Sequence, residues 1–261
     1  MLKEELALVA MGFVPCVFYV LWVRRSELSR KEPFRRVFLV FAAGATVSTG
    51  LALVIEIGGE VLVDLYSAVS KAAPGNELLV GLIVIAPVAE EFTKALPVLA
   101  IRGKPFFTEV EQGLVYGAAA GFGFAATENV MYFFVSWKRA SLSMGEAAGL
   151  LSIATLVVVR SLGSASLHGA TGAISGSGIS TQKVLGGWWV SRYAMAVVYH
   201  GLYNFAIFLF AALGPRFLPG ILSVAPIVAA CAFGLWLFRS ILYEIRVLDR
   251  GFGPRSRGEE A

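Results

Sequence analysis

The chain has only two histidines, His168 and His200, and both lie inside long apolar stretches. So do three of its glutamates, Glu90, Glu91 and Glu128. An Asp, Lys or Arg at membrane depth costs roughly 2.5–3.5 kcal/mol on insertion scales, so such groups are rare unless they face a wet cavity and act there. Two His and three Glu spread over four apolar segments point to one polar site inside a membrane protein. Glu and His with Asn in such a cavity suit water activation. A desolvated carboxylate is a general base. Imidazole polarises a carbonyl, donates a proton or ligates a metal, and an Asn amide donates to an oxyanion. Two His and one Glu with an open position for water would also hold zinc.

The local spacings refine this. Ala86-Pro87-Val88-Ala89-Glu90-Glu91-Phe92-Thr93-Lys94 places two adjacent carboxylates in one segment. Helical neighbours point about 100° apart, so one can face a cavity while the other braces a neighbouring helix. Lys94 lies one turn from Glu90 and within reach of Glu91, in the favourable order. A purely structural Glu–Lys pair is the plainer alternative. Pro87 removes a backbone hydrogen bond just before the pair, which favours a local opening. Gly117 and Gly121 form a G-x-x-x-G spacing that lets helices approach closely. Phe124 lies one turn before Glu128-Asn129, and Arg160 is an available ion-pair partner for Glu128. Small residues from Ser164 to Gly172 surround His168, and His200 and Asn204, four apart, share a helix face. Cys16 and Cys231 stand alone in apolar segments, where they read as small core or lipid-facing residues.

The elements that must position these groups are membrane helices. Apolar residues make up 57% of the chain and charged residues 15%, against about 25% charged in soluble domains; mean hydropathy is +0.74. About seven segments approach the roughly 20 apolar residues a span requires: 6–23, 37–58, 78–101, 112–136, 149–176, 189–212 and 219–238. The expected architecture is all-α, one polytopic membrane bundle over 1–261 with a short basic tail at about 239–261. The first segment lacks a basic n-region and is followed by Arg24 and Arg25, so it reads as a retained anchor. Arg24, Arg25, Arg30, Lys31, Arg35, Arg36, Arg102, Lys104, Lys183 and the tail arginines fall on one side. This places the N-terminus outside and the C-terminus in the cytoplasm. The net charge of +4 thus reports topology and affinity for anionic lipid, not nucleic-acid binding.

Glu90-Glu91-x-x-Lys94, Phe124-x-x-x-Glu128-Asn129, His168 and His200-x-x-x-Asn204, in that order over residues 86–204, resemble the motif set of PrsW-type intramembrane proteases. The resemblance implies that Glu90 and Glu91 are catalytic and that Glu128, His168 and His200 complete the site. It also implies that the substrate is a membrane-anchored protein such as an anti-sigma factor. Such proteins are often called metalloproteases, while a related glutamate-type proposal has a carboxylate activate water without metal. His168, His200 and Glu128 are the candidate zinc ligands, with Asn204 beside them. The competing class is a proton- or ion-coupled transporter using the same carboxylates; its usual paired repeats with interrupted helices have no counterpart in this sequence.

Overall fold

In the computed structural model, which describes residues 2–29, 31–70, 77–217 and 224–252, helices joined by short connections make up the described chain, with no strand among the described residues. Helix α1, Leu2–Ser26, carries Glu4 and Glu5 in its first turn and Arg24 and Arg25 in its last, which complements its dipole at both ends. Helix α2, Phe34–Ala43, runs through a π turn, Gly44–Ser48, into α3, Thr49–Ser70. The expected end at residue 58 is therefore passed. Away from water, Gly58 and Gly59 gain more from keeping the backbone bonded than they lose in propensity. Helix α4, Glu77–Val80, passes through the π turn Gly81–Ile85 into α5, Ala86–Ile101. That turn sits where Pro87 deprives the carbonyl four residues earlier of its donor, a recognised cause of helix widening.

Helix α6, Val110–Met144, starts at a reciprocal cap between Glu109 and Gln112 and spans 35 residues. Helices α7, Glu146–Ser152, and α8, Ala154–Val159, lead through a third π turn, Arg160–Ser164, into α9, Ala165–Leu185. Gly186, in the left-handed region at φ 78°, ends α9, a conformation for which glycine has no penalty. Helix α10 is Trp189–Phe217 and α11 is Ala225–Phe252, so residues 239–252 of the basic C-terminal region continue a helix. Arg30, Lys71, Arg255, Arg257 and the start of the expected 219–238 span lie outside the described residues.

Among the described residues four helices are long and apolar enough to cross a membrane: Leu2–Ser26, Phe34–Asp64, Trp189–Ala211 and Ala225–Arg250. A fifth arises if α7 and the Ala154–Leu185 stretch, bent by 40°, form one span. Helices α5 and α6, counted among about seven from sequence, do not meet that measure. The charges Glu90, Glu91 and Lys94 lower the apolarity of one, and the glycines with Glu128 and Asn129 lower that of the other.

Helices α6 and α9 form the axis of the bundle, with all of Val110–Ala126 and all of Ala165–Ser180 buried. Their contact is made by glycine. A Cβ on Gly117 would overlap the Gly172 carbonyl, and one on Gly121 would overlap the carbonyl of His168. Backbones touch only where side chains are absent, and here that contact sets His168 against α6. The apolar bulk faces outward instead: Phe18, Val54 and Trp236 are each more than half exposed, as lipid-facing residues should be.

The 27–33 connection joins α1 to α2 and ties both to α6 and α11. Asp249 of α11 accepts from the backbone N–H of Leu28 and, at 2.7 Å, of Ser29. Glu32 accepts from Gln112 at 2.5 Å and from the Tyr116 hydroxyl, both on α6. Glu27 accepts from the Glu32 N–H at 3.1 Å. Burial pushes the Glu27 carboxyl up to about 8, the nearby Glu32 charge adding to it and the Glu32 N–H opposing it.

Gly121→Ala is expected to destabilise the bundle by about 1–3 kcal/mol, the usual cost of overpacking. Gly50→Ala, with nothing within 4 Å of its Cβ, is expected to leave the melting temperature unchanged or higher; equal melting of the two variants would sink this account of the α6–α9 contact. Glu27 binds its proton more tightly folded than unfolded, so its contribution is fully present below about pH 4.5 and fades as pH rises through about 8. Melting measured from pH 5 to 8.5 should therefore fall less steeply for Glu27→Gln than for the unaltered protein.

Candidate active site and metal centre

Four helices bring the candidate residues together. Helix α5 supplies Glu90, Glu91 and Lys94, α6 supplies Glu128, α9 supplies His168 and α10 supplies His200. The two neighbouring glutamates diverge, as the helical offset requires. Glu91 braces the adjacent helices: its Oε1 accepts from Thr171 Oγ1 at 3.0 Å and from Lys94 Nζ at 2.9 Å, and lies 2.8 Å from His200 Nδ1. Its Oε2 has no hydrogen-bond partner among the described residues. Glu90 points between the rings, with Oε2 3.6 Å from His168 Nδ1 and 3.9 Å from His200 Nε2.

The partners determine the tautomers. Lys94 Nζ is 2.5 Å from His168 Nδ1, and an ammonium only donates, so Nδ1 accepts and the ring proton sits on Nε2. That proton faces Glu128 Oε2 at 2.9 Å. In His200 the order reverses. Nδ1 faces the Glu91 carboxylate, which only accepts, so the lone pair is on Nε2, toward Glu90. The two ring lone pairs therefore turn toward the same carboxylate. The rings cross edge-on with centroids 4.9 Å apart.

Glu90, His168 and His200 each offer one ligand atom, all within 4.8 Å of one another. Ligand nitrogens in metal sites commonly have their other ring N–H held by a carboxylate, which fixes the ring and raises its basicity. Both rings meet a carboxylate on that side here, His200 by a hydrogen bond to Glu91 and His168 by an ion-pair contact with Glu128. On convergence, donor chemistry and backing carboxylates, the residues fit a divalent metal. Glu128, expected from sequence as a ligand beside the two His, stands instead on the far nitrogen of His168 and pairs with Arg160 Nη2 at 2.8 Å. Depth along a helix was readable from sequence, but rotation about its axis was not.

The site is enclosed, with the Glu91 and Lys94 side chains 0% exposed, Glu90 8%, and Glu128 19%. Glu128 and Arg160 thus stand on its accessible side. Arg160 also donates to Asn129 Oδ1 at 2.7 Å and lies over the Tyr132 ring. Phe124 closes another wall, 4.5 Å from Lys94 Nζ and tilted against the His168 ring. Asn204 shares the His200 face but donates to the Leu82 carbonyl at 2.9 Å. It satisfies the π turn before α5 rather than meeting the two rings. Sequence reasoning missed Thr171, whose position one turn from His168 was the available signal, and the reach of Lys94 to His168, for which there was none.

An all-helical bundle with membrane-spanning helices around a buried His–carboxylate cluster defines the class. The chain belongs to the PrsW family of intramembrane metalloproteases, whose pattern matches residues 32–235. It is 27% identical over 150 residues to Protease PrsW of Clostridioides difficile (strain 630), a match covering 57% of this chain and 60% of that protein's length. No solved structure shows significant similarity to it.

Asn204→Ala frees the Leu82 carbonyl in a partly buried place. It is expected to cost about 1–3 kcal/mol of stability while lowering activity far less than Glu90→Gln. Equal loss of activity in two folded variants would return Asn204 to the reacting group.

Proposed function

We propose that this chain is an intramembrane endopeptidase that hydrolyses a peptide bond of a membrane-anchored protein. The supporting observation is the convergence of Glu90, His168 and His200, each ring backed by a carboxylate, in a chain of this family. Two imidazoles and one carboxylate with a position left open are a donor set for catalytic zinc, and zinc is the ion proposed. A divalent ion held there by Glu90, His168 and His200 would supply Lewis acidity toward a carbonyl and toward water.

The chain's own residues divide the remaining tasks. Glu90, the member of the carboxylate pair that retains some exposure, is the one water reaches. Its carboxylate can take a proton from water or hold the ion. Glu91, already engaged by Lys94, Thr171 and His200, is a positioning residue. Glu128 holds His168 in its Nε2–H form and is in turn held by Arg160. Burial of the cluster restricts competing water, which strengthens each of these interactions.

On this reading α5 and α6 also cross the bilayer, giving seven crossings in a single domain over 1–261. The arginine-rich 24–36 connection and the C-terminus are then cytoplasmic and the N-terminus is outside. Substrates are membrane-anchored proteins of the anti-sigma-factor kind that the family resemblance suggests. A cysteine placed at position 31 is expected to react with an impermeant reagent only from the cytoplasmic side of sealed vesicles; reaction from outside reverses the orientation.

The catalytic test uses the full chain purified in detergent, with zinc content and cleavage measured together. Glu90→Gln, His168→Ala and His200→Ala should each reduce cleavage by about a thousandfold or more, since residues acting as a unit are lost together. Stoichiometric zinc should disappear with either His. Full activity at well under one zinc per chain, unaffected by chelator, removes the metal from this proposal. Cleavage by a folded Glu90→Gln variant removes Glu90.

A further inference from the structure

Lys94 is fully buried. Its side chain is 0% exposed, and its three N–H groups are directed at Glu90 Oε2 at 3.3 Å, Glu91 Oε1 at 2.9 Å and His168 Nδ1 at 2.5 Å. Two of those three partners, Glu90 and His168, belong to the set of three that can hold a metal. The His168 lone pair in particular cannot serve an ammonium proton and a metal ion at the same time. Glu91 does not belong to that set, and it offers Lys94 a contact that a metal would leave intact. The Phe124 ring, 4.5 Å from Nζ, offers a second.

The formal charges point the same way. Glu90, Glu91 and Glu128 bring three negative charges, and Lys94 and Arg160 bring two positive ones, so the cluster carries a net −1 with neutral rings. A divalent ion turns this to +1. In so buried a place a fixed cation a few ångströms from the ion opposes binding strongly.

We propose that Lys94 is a resident counter-cation that shares Glu90 and His168 with the incoming metal, and that it sets how tightly the site binds a divalent ion. Metal entry draws Glu90 and His168 away from the ammonium, which stays on Glu91 against Phe124. The lysine holds the rings and carboxylates together when no ion is bound, and it keeps affinity below what the same ligands would otherwise reach. This inference rests on the metal-site reading above.

The test measures zinc affinity of the detergent-purified full chain by competition with a chromophoric chelator, for the unaltered protein, Lys94→Met and His200→Ala. Removing one like charge within about 4–6 Å shifts ionic equilibria by about ten- to a thousandfold. A folded Lys94→Met is therefore expected to bind zinc at least about tenfold more tightly, whatever its cleavage activity. Equal or weaker binding by folded Lys94→Met, with zinc binding by the unaltered chain lost in His200→Ala, overturns the counter-cation and leaves the metal site standing. Absence of zinc binding by the unaltered chain overturns both. Should Lys94→Met not fold, the structure of the zinc-loaded unaltered chain decides. Lys94 Nζ is expected beyond hydrogen-bond distance of His168 Nδ1 and still on Glu91, and an intact Lys94–His168 bond beside bound zinc overturns the proposal.

Discussion

Removing an ionisable group from water obliges the protein to replace every interaction water would have made, and the Glu91–Lys94 contact is where that obligation is most severe. Neither side chain is exposed at all. Alone, either charge would be prohibitive in a low-dielectric interior. Together they are tolerable because further partners share the charge: Thr171 from α9 and His200 from α10 on Glu91 Oε1, and Glu90 from the same helix on Lys94, while Glu91 Oε2 has no hydrogen-bond partner among the described residues. Satisfying one pair thus recruits three helices. The same logic passes outward through His168 to Glu128 and Arg160. The cluster is as much what holds these helices in register as what they exist to hold.

That register demands backbones close enough for short polar side chains to meet. Glycine on both α6 and α9 allows it, with Gly117 against the Gly172 carbonyl and Gly121 against that of His168. The second of these contacts is at the site itself, so the packing of the axis and the placement of a candidate ligand are one event. The π turns serve a related purpose. Gly81–Ile85 and Arg160–Ser164 lie just before the segments that carry Glu90 and His168. The first has its Leu82 carbonyl satisfied by Asn204, and Arg160 of the second reaches Asn129, Ser164 and Glu128. Irregular backbone at membrane depth persists only where protein groups complete its hydrogen bonds.

Much of the site was legible because its residues are expensive where they stand. The rarity of His and of membrane-depth Glu singled out Glu90, Glu91, Glu128, His168 and His200, and the structure brings all five into one cluster. The Glu128–Arg160 pair and the divergence of Glu90 from Glu91 were likewise readable from depth and from the helical offset. That Glu90 rather than Glu128 lies between the two rings in the candidate trio was not, because it depends on how α6 is rotated against α9. Asn204 shows the same limit. Its sharing of a face with His200 follows from a spacing of four, but the group that face meets, the Leu82 carbonyl, comes from a widened turn in another helix. The anchoring of Leu28 and Ser29 by Asp249 joins residues 221 and 220 positions apart, and no local pattern encodes it.

The helix count carries a related lesson. The helices that look most like membrane spans, α1, the α2–α3 run, α10 and α11, supply only one of the five clustered residues, His200. The two that fall short, α5 and α6, supply Glu90, Glu91, Lys94 and Glu128. This follows from position in the bundle. A helix facing lipid must be apolar over much of its circumference, whereas a helix surrounded by other helices needs small residues for contact and polar residues for chemistry, and both lower its hydropathy. Burial agrees for α6, whose Val110–Ala126 part is wholly buried while α1 and α11 expose large apolar side chains; α5 buries its polar residues and turns Val88 and Phe92 outward. Low hydropathy in α5 and α6 thus goes with the buried polar cluster they carry, and the apolar helices around it are what make those polar side chains compatible with a membrane.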